Sequence, residues 1–185
     1  MQTWFCLLYT SHTATPTVLA ESAEVVSPLA GQVKPLSQAT DPVFSSGVMG
    51  QGVVIEPSQG ELVSPVNGTV TVFFPTKHAV GIVSEEGVEM LMHIGMDTVS
   101  LDGKGFVAHV EQGDKVVVGQ QLISFDMDVI KKAGLVTETP VIITNQDDFQ
   151  ADVEGNLPRD IKRLRIALYH PELSGRSNHC SSFLY

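Results

Sequence analysis

The stretch Thr76–Val99 reads TKHAVGIVSEEGVEMLMHIGMDTV, and it decides how the surrounding chain is arranged. Its polar segment Ser84–Gly87 separates two apolar runs, a pattern that predicts a turn between two antiparallel strands. With a two-residue loop, His78 lies directly opposite His93, with their Cβ atoms ~5 Å apart. If Gly87 adopts a left-handed conformation instead, a bulge shifts this pairing by one residue.

Two imidazoles at this distance can share one ligand. Charging both imidazoles costs free energy unless an anion or a deprotonated group lies between them. Three kinds of site fit the pair: a metal site, a general acid/base pair, or a phosphoryl acceptor beside a residue that steadies the phosphate. The alternative is two unrelated polar residues on a half-buried sheet.

Composition favours one globular domain. The 185 residues are 43% hydrophobic with few aromatics, and this length suffices for a real core. A formal net charge of −10 argues against nucleic acid as a partner. An acidic surface attracts a basic protein partner, although moderate acidity also serves solubility alone.

Both ends of the chain differ from its middle. Met1–Ala23 includes a polar stretch rich in Ser, Thr and Pro and is predicted to be a linker or disordered. The two cysteines, Cys6 and Cys180, have neither metal-ligand spacing nor a disulfide framework, so we expect a reducing cytoplasm. Trp4–Tyr9 is apolar but too short for a transmembrane helix.

Between the ends, short apolar runs rich in valine alternate with Gly, Pro and Asn turn signals. This pattern predicts an all-β fold, a compact antiparallel β-sandwich. Asp128–Ala133 suits a short helix, and Asp147–Asp152 is a candidate for a second. The predicted strands are Glu24–Ser27, Gly31–Pro35, Gly52–Pro57, Gly60–Val63, Gly68–Phe74, Ala79–Ser84, Val88–Ile94, Phe106–His109, Lys115–Val117, Gln121–Asp126 and Val141–Thr144.

Two segments share one pattern. Ser27–Val33 reads SPLAGQV and Ser64–Val70 reads SPVNGTV, so each has Ser-Pro, an apolar residue, then Gly and Val at matching places. This predicts a duplicated strand–turn–strand unit. The repeat is short, and chance similarity is the competing interpretation.

The residues around His93, GVEMLMHIGMDTV, closely resemble the phosphorylation-site motif of the glucose-class EIIA domains of the bacterial phosphoenolpyruvate-dependent sugar phosphotransferase system (PTS). The second histidine of that family appears within Thr76–Ala79, TKHA. The resemblance places an EIIA domain at residues 24–157, between the N-terminal segment and an atypical tail over 158–185. Further matching segments are Ser27–Gly31, Asp41–Phe44, Gly50–Pro57, Val63–Val70, Gly113–Gln120 and Thr139–Asn145.

The tail departs from the family. A final strand is expected after Asn156, but the chain reads LPRDIKRLRIALYHPE over residues 157–172. Arg163–Tyr169 fits either a substitute strand or a helical turn. A missing last strand would leave a sheet edge exposed.

The resemblance implies a phosphotransferase component that carries a phosphoryl group. His93 would accept it from the phosphohistidine of HPr at Nε2 and pass it to a cysteine of a IIB domain during sugar uptake. His78 would stabilise the phosphate, and Thr76 would orient His78. The family requires no cofactor, though His78 and His93 could hold a regulatory zinc at a partner interface. The membrane would be reached only through the transporter.

The same resemblance implies a docking surface for these partners around the histidines. Apolar side chains rimmed by acids suit such a surface. The predicted partner-binding residues are Val43, Phe44, Val48, Phe74, Leu91, Asp97 and Val99.

Two other functions compete. A zinc hydrolase of related β architecture would use the His93–Asp97 H-x-x-x-D spacing, but the chain has no H-x-H motif and catalytic zinc normally takes three protein ligands. A biotinyl or lipoyl carrier is suggested by Gly113–Gln120, GDKVVVGQ. We reject it because no M-K-M or D-K-A lies at a turn.

Overall fold

The computed structural model describes residues 23–145, 150–152 and 166–169. The alternating patterns predicted as strands do form strands, and two short helices join them. The strands are β1 (Ala23–Val25), β2 (Gly31–Pro35), β3 (Gln51–Pro57), β4 (Glu61–Val63), β5 (Gly68–Phe73), β6 (Ala79–Ser84), β7 (Glu89–His93), β8 (Phe106–Ala108), β9 (Lys115–Val116), β10 (Gln121–Phe125), β11 (Thr139–Ile143), β12 (Gln150–Asp152) and β13 (Ile166–Tyr169); the helices are α1 (Pro42–Ser45) and α2 (Met127–Lys132).

Most of these strands form one antiparallel sheet of seven, in the order β2-β3-β11-β7-β6-β5-β9. A second sheet of three has the order β4-β10-β8, and a third has the order β1-β13-β12. Side chains from the first two sheets share one hydrophobic core, which includes Ile55 and Met92 from the large sheet and Leu62 and Ile123 from the small one. Two packed antiparallel layers are the β-sandwich that the sequence predicts.

The large sheet also buries part of its other face. Val53 and Ile55 on β3 point into the main core, whereas Val54 between them points away from it. On the neighbouring β11, Ile142 points away in the same manner, because side chains alternate along a strand. This outer face is covered by a second apolar cluster, formed by Leu36, Ala39, Phe44, Val54, Met96 and Ile142.

The duplicated unit is visible as a pair of matching turns. Ser27 Oγ donates to the Leu29 carbonyl at 2.7 Å, and Ser64 Oγ donates to the Val66 carbonyl at the same distance. The turns also exchange main-chain bonds. The Val26 N–H donates to Pro65 and the Val63 N–H donates to Pro28. Since both bonds join equivalent positions, the two copies are related by a local twofold arrangement.

Several predictions about elements need correction. All eleven predicted strands are present with ends within two residues, but α1 and the 3₁₀ turns Leu36–Gln38 and Thr98–Leu101 were not predicted. The helix predicted over Asp147–Asp152 is wrong for residues 150–152, which form β12; residues 147–149 lie outside the described part. Of the two alternatives for Arg163–Tyr169, residues 166–169 form a strand that pairs with both β1 and β12.

In the described part of the chain, the helices are too short to cross a bilayer; the longer one, α2, has six residues. The predicted division into residues 1–23, 24–157 and 158–185 stays a prediction.

Candidate functional site

The two histidines meet at the start of the β6–β7 hairpin. Their ring centroids are 4.8 Å apart, and the rings are nearly perpendicular at 77°. The predicted register is nevertheless wrong, because Ala79 rather than His78 lies opposite His93. Gly87 adopts a left-handed conformation with φ of 90°, which lengthens the loop and shifts the pairing by one. The alternative with the bulge is therefore the one that occurs.

His93 lies on the outer face of the large sheet. Met90 and Met92 on the same strand point into the main core, so the alternation turns Leu91 and His93 outward. His78 precedes the first residue of β6, where strict alternation no longer applies, and its ring reaches the same face. Both imidazoles thus line one spot at the end of the sheet.

One hydrogen bond fixes the tautomer of His93. Its Nδ1 lies 2.8 Å from the carbonyl oxygen of Gly95. A carbonyl oxygen can only accept, so Nδ1 carries the proton and donates it. The other ring nitrogen, Nε2, is left with a free lone pair on a half-buried ring. This is the arrangement that a nucleophilic imidazole needs.

The turn after His93 holds that carbonyl in place. Gly95 has φ of 71°, and a Cβ there would lie 2.6 Å from Thr98 Cγ2 and 2.8 Å from the Val136 oxygen. Thr98 Oγ1 donates to the Ile94 carbonyl, and Met96 N–H donates to Val136. Glycine is required at position 95 because both the conformation and the space exclude a side chain.

His78 is fixed from its other side. The Thr76 hydroxyl lies 2.5 Å from Nδ1 of His78, within hydrogen-bond distance. The His78 side chain is buried, with 5% of the residue exposed. Since Nδ1 is engaged by Thr76, the Nε2 atom of His78 is the one available to a ligand. Lys77 between these residues has the left-handed φ of 58°.

Burial keeps both imidazoles neutral at pH 7. It lowers the pKa of His78 to about 4, with a further contribution from a charge on His93. Burial also lowers the pKa of His93 below its ordinary value, although the Gly95 carbonyl and the carboxylates of Asp41 and Asp97 act in the opposite direction. A neutral His93 is the nucleophilic form.

Two phenylalanines pack against the imidazole pair. The ring of Phe44 lies 5.4 Å from that of His93, and the ring of Phe74 lies 5.3 Å from that of His78. Phe44 is held there by the short helix α1, whose first turn is capped by Asp41 accepting from the Val43 N–H at 2.7 Å. The Asp-Pro pair at 41–42 is a helix-start signal that could have predicted α1.

The predicted partner-binding residues have different exposures. Phe44 is 8% exposed, so it is part of the buried support for His93 and not a free contact surface. Leu91 is half-buried. The remaining five are exposed: Val43, Val48, Phe74, Asp97 and Val99.

Metal chemistry has little support. Within the described residues, no group of three or more His, Cys, Asp or Glu side chains is placed to hold a metal ion. His78 and His93 supply two ligands, and Asp97 does not complete a set with them. The zinc hydrolase hypothesis therefore lacks a ligand set in this part of the chain, and the suggestion of a regulatory zinc has no support from it.

The sequence matches one family profile, described as phosphoenolpyruvate-dependent sugar phosphotransferase system, EIIA 1, over residues 23–149. Two similar curated proteins are both named PTS system beta-glucoside-specific EIIBCA component. The one from Bacillus subtilis is 55% identical over 135 residues, which cover 72% of this chain and 22% of that protein. The one from Halalkalibacterium halodurans is 51% identical over 139 residues, covering 75% and 22%. The chain thus spans about a fifth of the length of these relatives.

One solved structure is similar to this chain in both fold and sequence. The glucose permease IIA from Mycoplasma capricolum superposes with a TM-score of 0.71 at 36% sequence identity, covering 79% of this chain and 96% of that one.

Proposed function

Because this chain belongs to the EIIA 1 family of the phosphoenolpyruvate-dependent sugar phosphotransferase system, we propose that it carries a phosphoryl group on Nε2 of His93. The predicted family and β-sandwich fold are confirmed, and with them the class of activity, a phosphotransferase component of sugar transport. One observation carries the assignment of the atom. The proton of His93 is held on Nδ1 by the Gly95 carbonyl, which leaves Nε2 as the nucleophile.

Neither step of the proposed phosphoryl transfer needs a residue of this chain to accept a proton. The lone pair on Nε2 of neutral His93 attacks the phosphorus of a phosphohistidine on the donor, and the P–N bond of the donor breaks as its imidazole leaves with the electron pair. In the second step, a cysteine thiolate of the acceptor attacks the same phosphorus, and the P–N bond to His93 breaks. The lowered pKa of His93 supports this role, since the reactive form is already present at pH 7.

His78 would stabilise the charge on the phosphoryl oxygens. If the Thr76 hydroxyl donates to Nδ1, the proton of neutral His78 lies on Nε2 and can be donated to a phosphoryl oxygen. The 4.8 Å between the two ring centroids supports this, because one phosphoryl group can touch both rings. Thr76 would then be a positioning residue.

HPr is the proposed donor, and a IIB domain of a sugar transporter is the proposed acceptor. The names of both curated relatives contain the B and C components beside A, which supports a IIB partner. We propose that the exposed Val43, Val48 and Val99 form part of the contact area for these partners. The net charge of −10 favours a basic partner and fast encounter. We also propose that the domain works on the cytoplasmic side.

Transfer of radiolabelled phosphate from phospho-HPr tests the proposal. We expect His93→Gln to abolish labelling, because it removes the nitrogen that the proposal makes the phosphoryl acceptor. His78→Gln should still accept phosphate but fail to pass it to a IIB domain. His109→Gln is the matched control, since His109 is exposed and contacts Ser124 well away from the pair. Labelling that survives the loss of His93 would overturn the proposal.

A further inference from the structure

A buried carboxylate lies outside the histidine pair. Glu138 directly precedes β11 and is only 8% exposed. Its Oε2 accepts from the Thr40 N–H at 2.9 Å and from the Thr40 hydroxyl at 2.7 Å, while Oε1 lies 3.4 Å from Nζ of Lys34. Burial alone would raise the pKa of Glu138, but the Thr40 bonds and Lys34 outweigh it and hold the pKa below 4.5. Glu138 is therefore ionised at neutral pH.

The Thr40 contacts tie Glu138 to the segment over residues 36–46, which we call the α1 loop. It contains one 3₁₀ turn and the four-residue helix α1. Helices this short are not stable on their own, so contacts with the rest of the protein must set their position. The α1 loop makes apolar contacts through Leu36, Ala39 and Phe44. Glu138 adds the polar attachment at Thr40, next to the Asp41 cap of α1.

The α1 loop in turn forms the environment of His93. Phe44 packs its ring 5.4 Å from the imidazole, and Asp41 acts on the charge of His93. If the loop moves away from the sheet, His93 gains water and loses its ring contact. Glu138 itself has no contact with either histidine among its hydrogen bonds and ion pairs in the described chain.

We propose that Glu138 is a positioning residue for phosphoryl acceptance. Through Thr40 it attaches the α1 loop to the start of β11 and so keeps Phe44 against the ring of His93. This inference rests on the proposed function of His93. The carboxylate suits the task because its two oxygens accept from two Thr40 donors and from the Lys34 ammonium together.

The test compares Glu138→Ala with Glu56→Ala. Glu56 is the matched control, because it also pairs with Lys34, at 3.0 Å, but has no bond to Thr40. In Glu138→Ala we expect exchange of the Thr40 amide proton to rise roughly tenfold or more, since its charged acceptor is gone. The pKa of His93, followed by NMR, should rise towards 6.5, because burial, the largest influence on this pKa, outweighs the Asp41 contribution that is lost with the loop. The rate of phosphoryl acceptance from phospho-HPr should fall several-fold, mainly in kcat.

Glu56→Ala should leave all three readouts at the wild-type values. Glu138→Gln should restore most of the Thr40 protection, because the amide oxygen still accepts from the Thr40 N–H. If Glu138→Ala does not fold, Thr40→Val at this exposed position removes only the hydroxyl bond and should move the His93 pKa in the same direction.

Unchanged Thr40 exchange and an unchanged His93 pKa in folded Glu138→Ala would overturn the inference. These two readouts need no phosphoryl transfer, so they stand even if His93 is not the acceptor. Failure of the proposed function would be detected in a separate experiment, in which the His93→Gln variant is still labelled by phospho-HPr.

Discussion

At the scale of single residues, the bond from His93 Nδ1 to the Gly95 carbonyl decides which nitrogen can react. Its cost is a left-handed glycine packed tightly between Thr98 and Val136. The sequence predicts His93 as the acceptor through its motif, but the motif alone does not show which atoms hold the ring. The tautomer follows only from the folded turn.

Gly95→Ala should destabilise the protein and disturb His93. A left-handed alanine costs about 1–2 kcal/mol, and the contacts with Thr98 and Val136 should add roughly another 1–3 kcal/mol. Chemical denaturation measures the change in the free energy of unfolding. Gly134→Ala is the matched control, because φ there is 77° and a Cβ would meet nothing within 4 Å. Equal losses in both variants would contradict the packing argument.

At the scale of elements, strands were predictable and their register was not. The bounds of β2 and β6 match the predicted ones fully, since alternation and turn residues are local signals. The register of the β6–β7 hairpin depended on the backbone conformation of Gly87, which the sequence permits in two forms. β12 was predicted as helix because its partner, β13, lies far along the chain.

The turn that leads into β6 also depends on one backbone conformation. Lys77 has φ of 58°, and its N–H donates to Phe74 just before His78. A β-branched residue rarely adopts this left-handed conformation, whereas glycine adopts it without strain. Lys77→Val should therefore lower the free energy of unfolding by about 1–2 kcal/mol and move the His78 ring. Lys77→Gly should stay within about 1 kcal/mol of the wild type.

Denaturation and histidine NMR shifts distinguish these variants. A Lys77→Val protein with wild-type stability and unchanged His78 signals would show that the turn does not depend on this conformation.

At the scale of the whole molecule, the buried histidine pair makes stability depend on pH. The folded pKa of His78 is about 4, below its ordinary 6.5. Above pH 6.5 His78 is neutral in both states, and its effect on stability is absent. As pH falls from 6.5 to 4, His78 becomes protonated in the unfolded chain but stays neutral in the folded protein. The free energy of unfolding therefore decreases. The loss approaches about 3 kcal/mol near pH 4.

Urea denaturation at pH 7, 6, 5 and 4 measures this loss. His78→Gln should flatten the dependence between pH 6.5 and 4, because the unfolded state no longer gains that proton. His109 is exposed, so His109→Gln should keep the wild-type pH dependence. A His78→Gln protein as sensitive to pH as the wild type would rule out His78 as the source.

The matching Ser27 and Ser64 turns have a consequence for how such a chain could arise. Each turn satisfies a main-chain group of the other, through Val26 to Pro65 and Val63 to Pro28. Two identical peptides of half the length would make the same pair of bonds around a true symmetry axis. Once the two copies are joined in one chain, the sequence of each copy can change independently of the other. Both histidines lie after the second turn, so the proposed phosphoryl site belongs to one half of the repeat alone.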